Sequence, residues 1–207
     1  MQERKTKGMA VIIGSGRSGR GLHGEFCYKD GYNLVFADSD RELIQKMKKQ
    51  GRYLSFSQRE DGNGFDVCTV EGYQAYHIEE DREEYLESLA QADLIFTATF
   101  DDAFPSIVRD IRDSLRLRIE RGKTSSFALI VGANYIGLYE YFSKAFAECF
   151  TEEENTYFET YGTLIESIIY RVTSLPNEEQ RAEDELSVQS DSFHVLWVNT
   201  EHMKKAA

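Results

Sequence analysis

The chain has 207 residues, with 24 Lys and Arg against 36 Asp and Glu, which gives a formal net charge of −12 at pH 7. Its 41% hydrophobic content and only 2 prolines are typical of a folded protein with a buried core, not of a disordered or fibrous chain. The negative charge disfavours nucleic acid as a partner, because phosphate binding requires clustered Lys and Arg. No apolar run approaches the roughly 20 residues that cross a bilayer, and the polar start lacks the apolar core of a signal peptide. We therefore expect a cytoplasmic protein that contacts no membrane.

Cysteine and histidine are sparse and scattered. The 3 cysteines are Cys27, Cys68 and Cys149, with no Cys-x-x-Cys pair, and the 4 histidines show no ligand spacing. This pattern predicts neither a disulfide framework nor a metal site.

The first fifty residues follow a β-α-β-α pattern. A β-branched run bounded by glycine predicts a strand at Met9–Ile13, and a second strand is predicted at Asn33–Asp38. A helix at about 20–30 lies between them, and Gly31 suits a left-handed C-terminal cap. The segment Ser39–Glu42 has capping-box spacing and predicts a second helix that ends before residue 51.

Residues 53–77 change to a β character and predict a small antiparallel meander, with strands at 53–57, 65–70 and 73–77. The α/β pattern then resumes, and a polar loop at 177–185 interrupts a β-rich tail at about 162–200. The remaining predicted elements are helices at about 80–91, 105–122, 139–150 and 151–158, and strands at 93–99, 126–131, 164–172, 186–190 and 193–198. The whole predicts one Rossmann-like domain over 1–207: a doubly wound, mostly parallel sheet with an inserted antiparallel meander and extra C-terminal strands.

The strongest local motif is Gly14-Ser15-Gly16-Arg17-Ser18-Gly19, placed between the first strand and the first helix. Glycine is needed at the tight turn, where the backbone approaches a pyrophosphate, and where the helix meets the strand. This placement predicts a dinucleotide site. Arg17 and Arg20 either flank the pyrophosphate or point to water.

Asp38 ends the second strand, 19 positions after Gly19 (38 − 19 = 19). A carboxylate there accepts hydrogen bonds from the adenosine ribose and repels a 2′-phosphate. The sequence therefore favours NAD over NADP, although Arg41 nearby leaves NADP open.

The segment Val11–Gly24 resembles the N-terminal signature of the mannitol dehydrogenase family, in which the glycine motif is extended by Arg-Gly and a further Gly. Phe36–Asp38 and Thr97–Thr99 are similar to that family's cofactor-side segments, and the similarity continues through 162–171 and 186–198. The resemblance implies the NAD-binding domain of a metal-free oxidoreductase that interconverts a polyol or polyol phosphate, such as mannitol 1-phosphate, and a ketose. The cofactor-side residues that it implies are Gly14, Ser15, Gly16, Arg17, Ser18, Gly19, Arg20, Asp38, Thr97, Ala98 and Thr99.

The substrate side departs from the family. Asn134 matches an Asn that approaches the reacting oxygen, but the residues before it differ, and Tyr170 stands where the family has Asp before Arg171. The family's catalytic Lys-x4-Asn-x2-His arrangement lies in a C-terminal helical domain and is absent here; only His194, Asn199 and His202 imitate it, with His in place of Lys. We therefore expect the general base to lie outside this chain, and the chain alone not to be catalytically competent.

Two other interpretations stay open. In the first, the chain is a stand-alone NAD(H)-binding regulatory or redox-sensing module. In the second, it is a relative that kept the fold and lost the ligand. A short-chain dehydrogenase is disfavoured, because none of the 12 tyrosines has Lys four positions later.

Overall fold

A computed structural model describes residues 6–133, 137–193, 195–199 and 201, which form two sheets flanked by helices. The strands are β1 Met9–Ile13, β2 Asn33–Asp38, β3 Arg52–Gln58, β4 Phe65–Glu71, β5 Gln74–His77, β6 Leu94–Thr97, β7 Phe127–Ala133, β8 Gly162–Ile169, β9 Thr173–Ser174, β10 Val188–Ser190 and β11 Leu196–Val198. The helices are α1 Glu25–Asp30, α2 Arg41–Gln50, α3 Arg82–Gln91, α4 Phe104–Glu120, α5 Leu138–Cys149, α6 Glu152–Tyr161 and α7 Glu178–Glu183. A π-helical segment, Gly19–Gly24, leads directly into α1, and a 3₁₀ turn, Asp101–Ala103, precedes α4.

The main sheet has seven strands in the order β11-β8-β7-β6-β1-β2-β5. Strands β5, β2, β1, β6, β7 and β8 are all parallel, and β11 adds to the edge antiparallel to β8. In chain order the six parallel strands give the 3-2-1-4-5-6 arrangement of the Rossmann fold, in which the order reverses between β1 and β6. The predicted fold class is confirmed, and the reversal marks the crevice where such sheets bind ligands.

The second sheet has four strands in the order β4-β3-β10-β9. Strands β3 and β4 form the predicted antiparallel hairpin, but β10 from the tail joins β3 in parallel. The prediction of a three-strand meander was wrong in its last strand: β5 pairs in parallel with β2 in the main sheet, with Phe36 opposite Ala75. A short β-rich segment does not reveal which sheet it joins, because parallel pairing leaves no local turn signal.

The core forms two clusters, one on each face of the main sheet. Because side chains alternate along a strand, Val11 and Ile13 of β1 pack toward α3, α4 and α5, while Ala10 and Ile12 pack on the opposite face. On that opposite face the second sheet contributes Tyr53, fully buried. The helical segment after the glycine motif is therefore enclosed between two sheets.

Helix ends mostly follow their predicted signals. Gly31 ends α1 with φ +91°, and Thr151 starts α6 with the predicted reciprocal capping box to Glu154. The start of α2 was predicted one residue early: Asp40, not Ser39, accepts the hydrogen bond from the Leu43 N–H at 3.0 Å.

The predicted loop at 177–185 contains a helix, α7. Asn177 and Gln180 close a capping box there, with hydrogen bonds of 2.8 and 2.9 Å. This Asn-x-x-Gln spacing is a helix-start signal, but five of the six residues of α7 are polar, and the segment therefore looked like a loop.

Candidate nucleotide-binding site

The glycine motif turns from β1 into the first helix at the point where the strand order of the main sheet reverses. Gly14 has φ +98°, and a Cβ added there lies 2.4 Å from the Ala98 carbonyl oxygen. A Cβ on Gly19 lies 1.9 Å from the Gly14 carbonyl oxygen, whereas one on Gly16 meets nothing within 4 Å. Gly14 and Gly19 are therefore required by the turn itself. Gly16 instead leaves open space over an exposed backbone, which is what close approach of a pyrophosphate requires.

Asp38, at the carboxyl end of β2, contacts this loop directly. The Ser15 N–H donates to Asp38 Oδ2 at 2.5 Å, and the Asp40 N–H donates to Asp38 Oδ1 at 3.0 Å. Each carboxylate oxygen thus accepts one backbone hydrogen bond and keeps a lone pair for another donor, such as a ribose hydroxyl. Asp38 is half-buried, so it is accessible to a ligand.

The two arginines of the motif occupy different environments. Arg17 is exposed at the loop, so its side chain is accessible to a phosphate. Arg20 is 7% exposed, donates to the Ser15 carbonyl oxygen and lies 5.9 Å over the Tyr53 ring. Burial lowers the pKa of Arg20. The burial of Arg20 corrects the expectation that it points to water: its side chain contacts the glycine loop from within, because the second sheet covers this face of the helix.

Thr97, Ala98 and Thr99 follow one another out of β6, beside the glycine loop. Thr97 is buried, and its Oγ1 accepts a 3.4 Å hydrogen bond from the Gly132 N–H of β7. The Ala98 N–H donates to the Ile13 carbonyl oxygen at 2.7 Å. Thr99 is half-buried and packs against Gly14. Ala98 and Thr99 thus lie at the crevice, whereas Thr97 is a sheet residue beneath it.

Buried hydroxyls without a protein partner lie at this loop. Within the described residues, Ser15 Oγ and Thr99 Oγ1 are buried and have no hydrogen-bond partner. Buried polar atoms are normally paired, so two such hydroxyls, one in the glycine loop and one in the segment that follows β6 beside it, are consistent with a ligand or water that completes them. Together with the open space over Gly16 and the free lone pairs of Asp38, these donors and acceptors fit a dinucleotide.

The predicted substrate contact, Asn134, lies outside the described residues, as do His194 and His202. The structure does describe how the helix after Asn134 begins. Glu166 of β8 accepts hydrogen bonds from the Gly137 and Leu138 N–H groups, each at 2.8 Å. This carboxylate caps α5 from across the sheet and was missed by the sequence analysis.

The described residues contain no group of three or more His, Cys, Asp or Glu side chains arranged to hold a metal ion. Among the helices that the structure describes, none combines the length and the apolar character needed to cross a membrane.

The family model described as the mannitol dehydrogenase Rossmann domain matches residues 8–207. The chain belongs to this family. The matched residues include the glycine motif, Asp38, both sheets and the β-rich tail.

Relatives of this Rossmann domain include two bacterial enzymes, each about twice as long as the region that matches this chain. The mannitol-1-phosphate 5-dehydrogenase of Anoxybacillus flavithermus is 27% identical over 195 residues, which is 94% of this chain and 49% of that protein. The enzyme of the same name from Lactococcus lactis subsp. cremoris is 27% identical over 199 residues, covering 95% and 48%. The chain therefore spans about half the length of the curated relatives it matches.

Solved structures share the fold of this Rossmann domain at low sequence identity. Octopine dehydrogenase with NADH and L-arginine aligns with a TM-score of 0.59 at 12% identity, over 88% of this chain and 39% of that one. A putative 2-dehydropantoate 2-reductase from Enterococcus faecalis aligns with a TM-score of 0.54 at 13% identity, over 96% and 54%. At these identities the likeness concerns the fold alone.

Proposed function

We propose that this chain is the NAD-binding part of a dehydrogenase that interconverts a polyol phosphate, of the mannitol 1-phosphate type, and a ketose. One observation carries the proposal: the glycine loop after β1 and Asp38 at the end of β2 meet at the strand-order reversal and are joined by the Ser15 N–H hydrogen bond to Asp38. Family membership and the relatives named mannitol-1-phosphate 5-dehydrogenase support the substrate class.

In this proposal each part of the loop has a separate task. The backbone at Gly16 and the N-terminus of the first helix hold the pyrophosphate, and Arg17 adds positive charge from the exposed side of the loop. Asp38 accepts the adenosine ribose hydroxyls. Ala98 and Thr99 border the nicotinamide side of the crevice. When bound, NAD would supply the acceptor for the hydride that leaves the alcohol carbon.

Asp38 also sets the choice of cofactor. Its carboxylate repels a 2′-phosphate, and Arg41, the nearby cation that could offset this repulsion, is held in an ion pair with Glu80. The charges around the ribose position therefore favour NAD over NADP.

The proton of the alcohol must go to a general base, which we place outside this chain. The relatives are about twice as long as the matched region, and the edge formed by β8 and β11 exposes apolar side chains on which a further unit can pack. Asn134 remains our proposed substrate-oxygen contact, and the cytoplasm our proposed location.

The test mixes the purified chain with NAD and mannitol 1-phosphate and follows NADH formation. We expect NADH binding without turnover, and turnover only when the second half of a mannitol-1-phosphate 5-dehydrogenase is added. Sustained turnover by the chain alone contradicts the placement of the base. NADH binding with no turnover under either condition favours a regulatory, redox-sensing module instead.

A further inference from the structure

The segment after β8 presents two different faces. Tyr170 and Val172 are exposed, at 56% and 65%, whereas Arg171 between them is 2% exposed. Thr173 also turns inward, and its Oγ1 lies 3.1 Å from Ser18 Oγ of the glycine motif. A segment about 150 residues away in the chain thus contacts the loop that we propose holds the pyrophosphate.

Arg171 is anchored in a fully buried polar cluster with Glu25. Its Nη2 donates to Glu25 Oε2 at 2.9 Å and to Ser57 Oγ at 2.5 Å, and also contacts Ser190 Oγ. The side chains of Arg171 and Glu25 both have 0% exposure. The guanidinium also lies 4.9 Å over the Phe26 ring.

Glu25 completes the cluster from the helix side. Its carboxylate accepts hydrogen bonds from Ser55 Oγ at 2.8 Å and from Ser57 Oγ at 2.9 and 3.0 Å, and it pairs with Lys29. Burial raises the pKa of Glu25, but Lys29 and Arg171 outweigh it and hold the pKa below its usual value. Removing one partner of such a pair leaves an uncompensated buried charge, so the two side chains hold their elements together.

The cluster holds the helix that starts at the glycine motif against the second sheet. Glu25 begins α1 at the end of the π-helical segment. Its partners come from the covering layer: Ser57 from β3, Ser190 from β10, and Arg171 from the segment between β8 and β9. A Cβ on Gly21 lies 3.3 Å from Thr173 Cγ2 and 3.4 Å from Val188 Cγ2. Glycine at this position lets β9 and β10 lie directly on the helix, so their position and that of the loop are linked.

We propose that Arg171 and Thr173 are positioning residues for nucleotide binding: they fix the glycine loop through Glu25 and Ser18 and thereby set its affinity for the pyrophosphate of NAD(H). This inference rests on the proposed function of the loop. Neither residue touches the nucleotide; each acts through a residue of the first helix or of the turn before it.

The first test measures NADH binding by calorimetry for Thr173→Val, with Thr173→Ser as the conservative rescue. Thr69→Val, at an exposed position on β4 of the same sheet, is the matched control. We expect Thr173→Val to weaken NADH binding by about 3- to 10-fold, the usual worth of one hydrogen bond, because Ser18 loses its partner. Thr173→Ser and Thr69→Val should stay within about 2-fold of the unaltered chain.

Urea unfolding of the same variants separates positioning from structural support. A purely structural role lowers the free energy of unfolding and leaves the NADH affinity of the folded protein unchanged, which would overturn the inference. Equal affinity of Thr173→Val and Thr69→Val would overturn it as well. If the unaltered chain binds no NADH, both the proposed function and this inference are wrong. If it binds NADH with the same affinity as Thr173→Val, only this inference is wrong.

Arg171→Lys tests the buried cluster without removing its charge. A lysine has one nitrogen and cannot reproduce the planar guanidinium that contacts Glu25, Ser57 and Ser190. The control is Arg59→Lys in the exposed pair with Asp66. We expect NADH affinity to fall by at least about 3-fold in Arg171→Lys and to stay unchanged in the control. Equal affinities at full folding would overturn the role of Arg171.

Discussion

The backbone N–H of Ser15 donates a 2.5 Å hydrogen bond to Asp38 Oδ2. This contact joins the two sequence features that point to a dinucleotide, the glycine turn and the acid that ends the second strand. The carboxylate holds the loop through this hydrogen bond, and we propose that its remaining lone pairs accept hydrogen bonds from a ribose. The glycine loop and the end of β2 are therefore directly connected.

Gly16 and Gly19 of the motif should respond differently to substitution. We expect Gly16→Val to keep the free energy of unfolding within about 0.5 kcal/mol, because a Cβ there meets nothing within 4 Å. The same variant should lose NADH affinity at least 10-fold, since the side chain fills the space next to the backbone donors.

Gly19→Ala provides the contrast, because its Cβ collides with the Gly14 carbonyl oxygen at 1.9 Å. We expect it to lower the free energy of unfolding by about 1–3 kcal/mol. Urea unfolding and NADH titration of both variants make the comparison. Unchanged NADH binding by Gly16→Val would show that the nucleotide does not approach this glycine.

His23 should make stability depend on pH. It lies in the π-helical segment that follows the glycine loop and is 2% exposed. Its ring stacks on that of Phe96, with 4.7 Å between the ring centroids. Burial lowers its pKa to about 4. Because the unfolded chain titrates near 6.5, the unfolded state binds more protons between these values, so stability falls as the pH drops through this window.

The expected loss due to His23 between pH 7 and pH 5 is about 2 kcal/mol. His23→Leu should remove that part of the pH dependence. The measurement is urea unfolding of both proteins at the two pH values. If the variant loses as much stability as the unaltered chain, His23 is not neutral and enclosed in the folded protein.

The edge formed by β8 and β11 should promote self-association. Tyr170 and Trp197 are 56% and 61% exposed and contact each other at 6.1 Å between ring centroids. An exposed apolar patch of this kind is unusual on a monomer surface. Light scattering at increasing concentration should show association that Trp197→Lys reduces, while Val67→Lys, at a 55% exposed position on β4, does not. A clean monomer at high concentration would contradict this prediction.

Local patterns predicted much of the fold. Strands β1 and β2 were predicted at their observed residues, because apolar runs bounded by glycine or a charged residue mark buried parallel strands. The glycine motif was also interpretable, since Gly14 and Gly19 meet local steric demands of the turn and Gly16 leaves the backbone open. The long-range strand pairings could not be predicted from the sequence. Strands β5 and β10 join their sheets in parallel, and no local signal specifies their partner strands.

The candidate site shows the same division. Asp38 follows from its spacing to the motif, but the burial of Arg20 depends on Tyr53 from the second sheet. The contact of Glu25 with Arg171 joins residues 146 positions apart. Such a pair looks like two ordinary surface charges in the sequence, and only the packing of the second sheet on the first helix reveals it.

We propose that the glycine loop and Asp38 together bind NAD(H). The most direct measurement is a calorimetric titration of the purified chain with NADH and with NADPH, repeated on Asp38→Ala. We predict that NADH binds more tightly than NADPH, and that the variant loses this preference by at least about 10-fold, because the carboxylate that repels the 2′-phosphate is gone. Binding of neither nucleotide by the unaltered chain, or an unchanged preference in Asp38→Ala, would contradict NAD(H) binding at the glycine loop and Asp38.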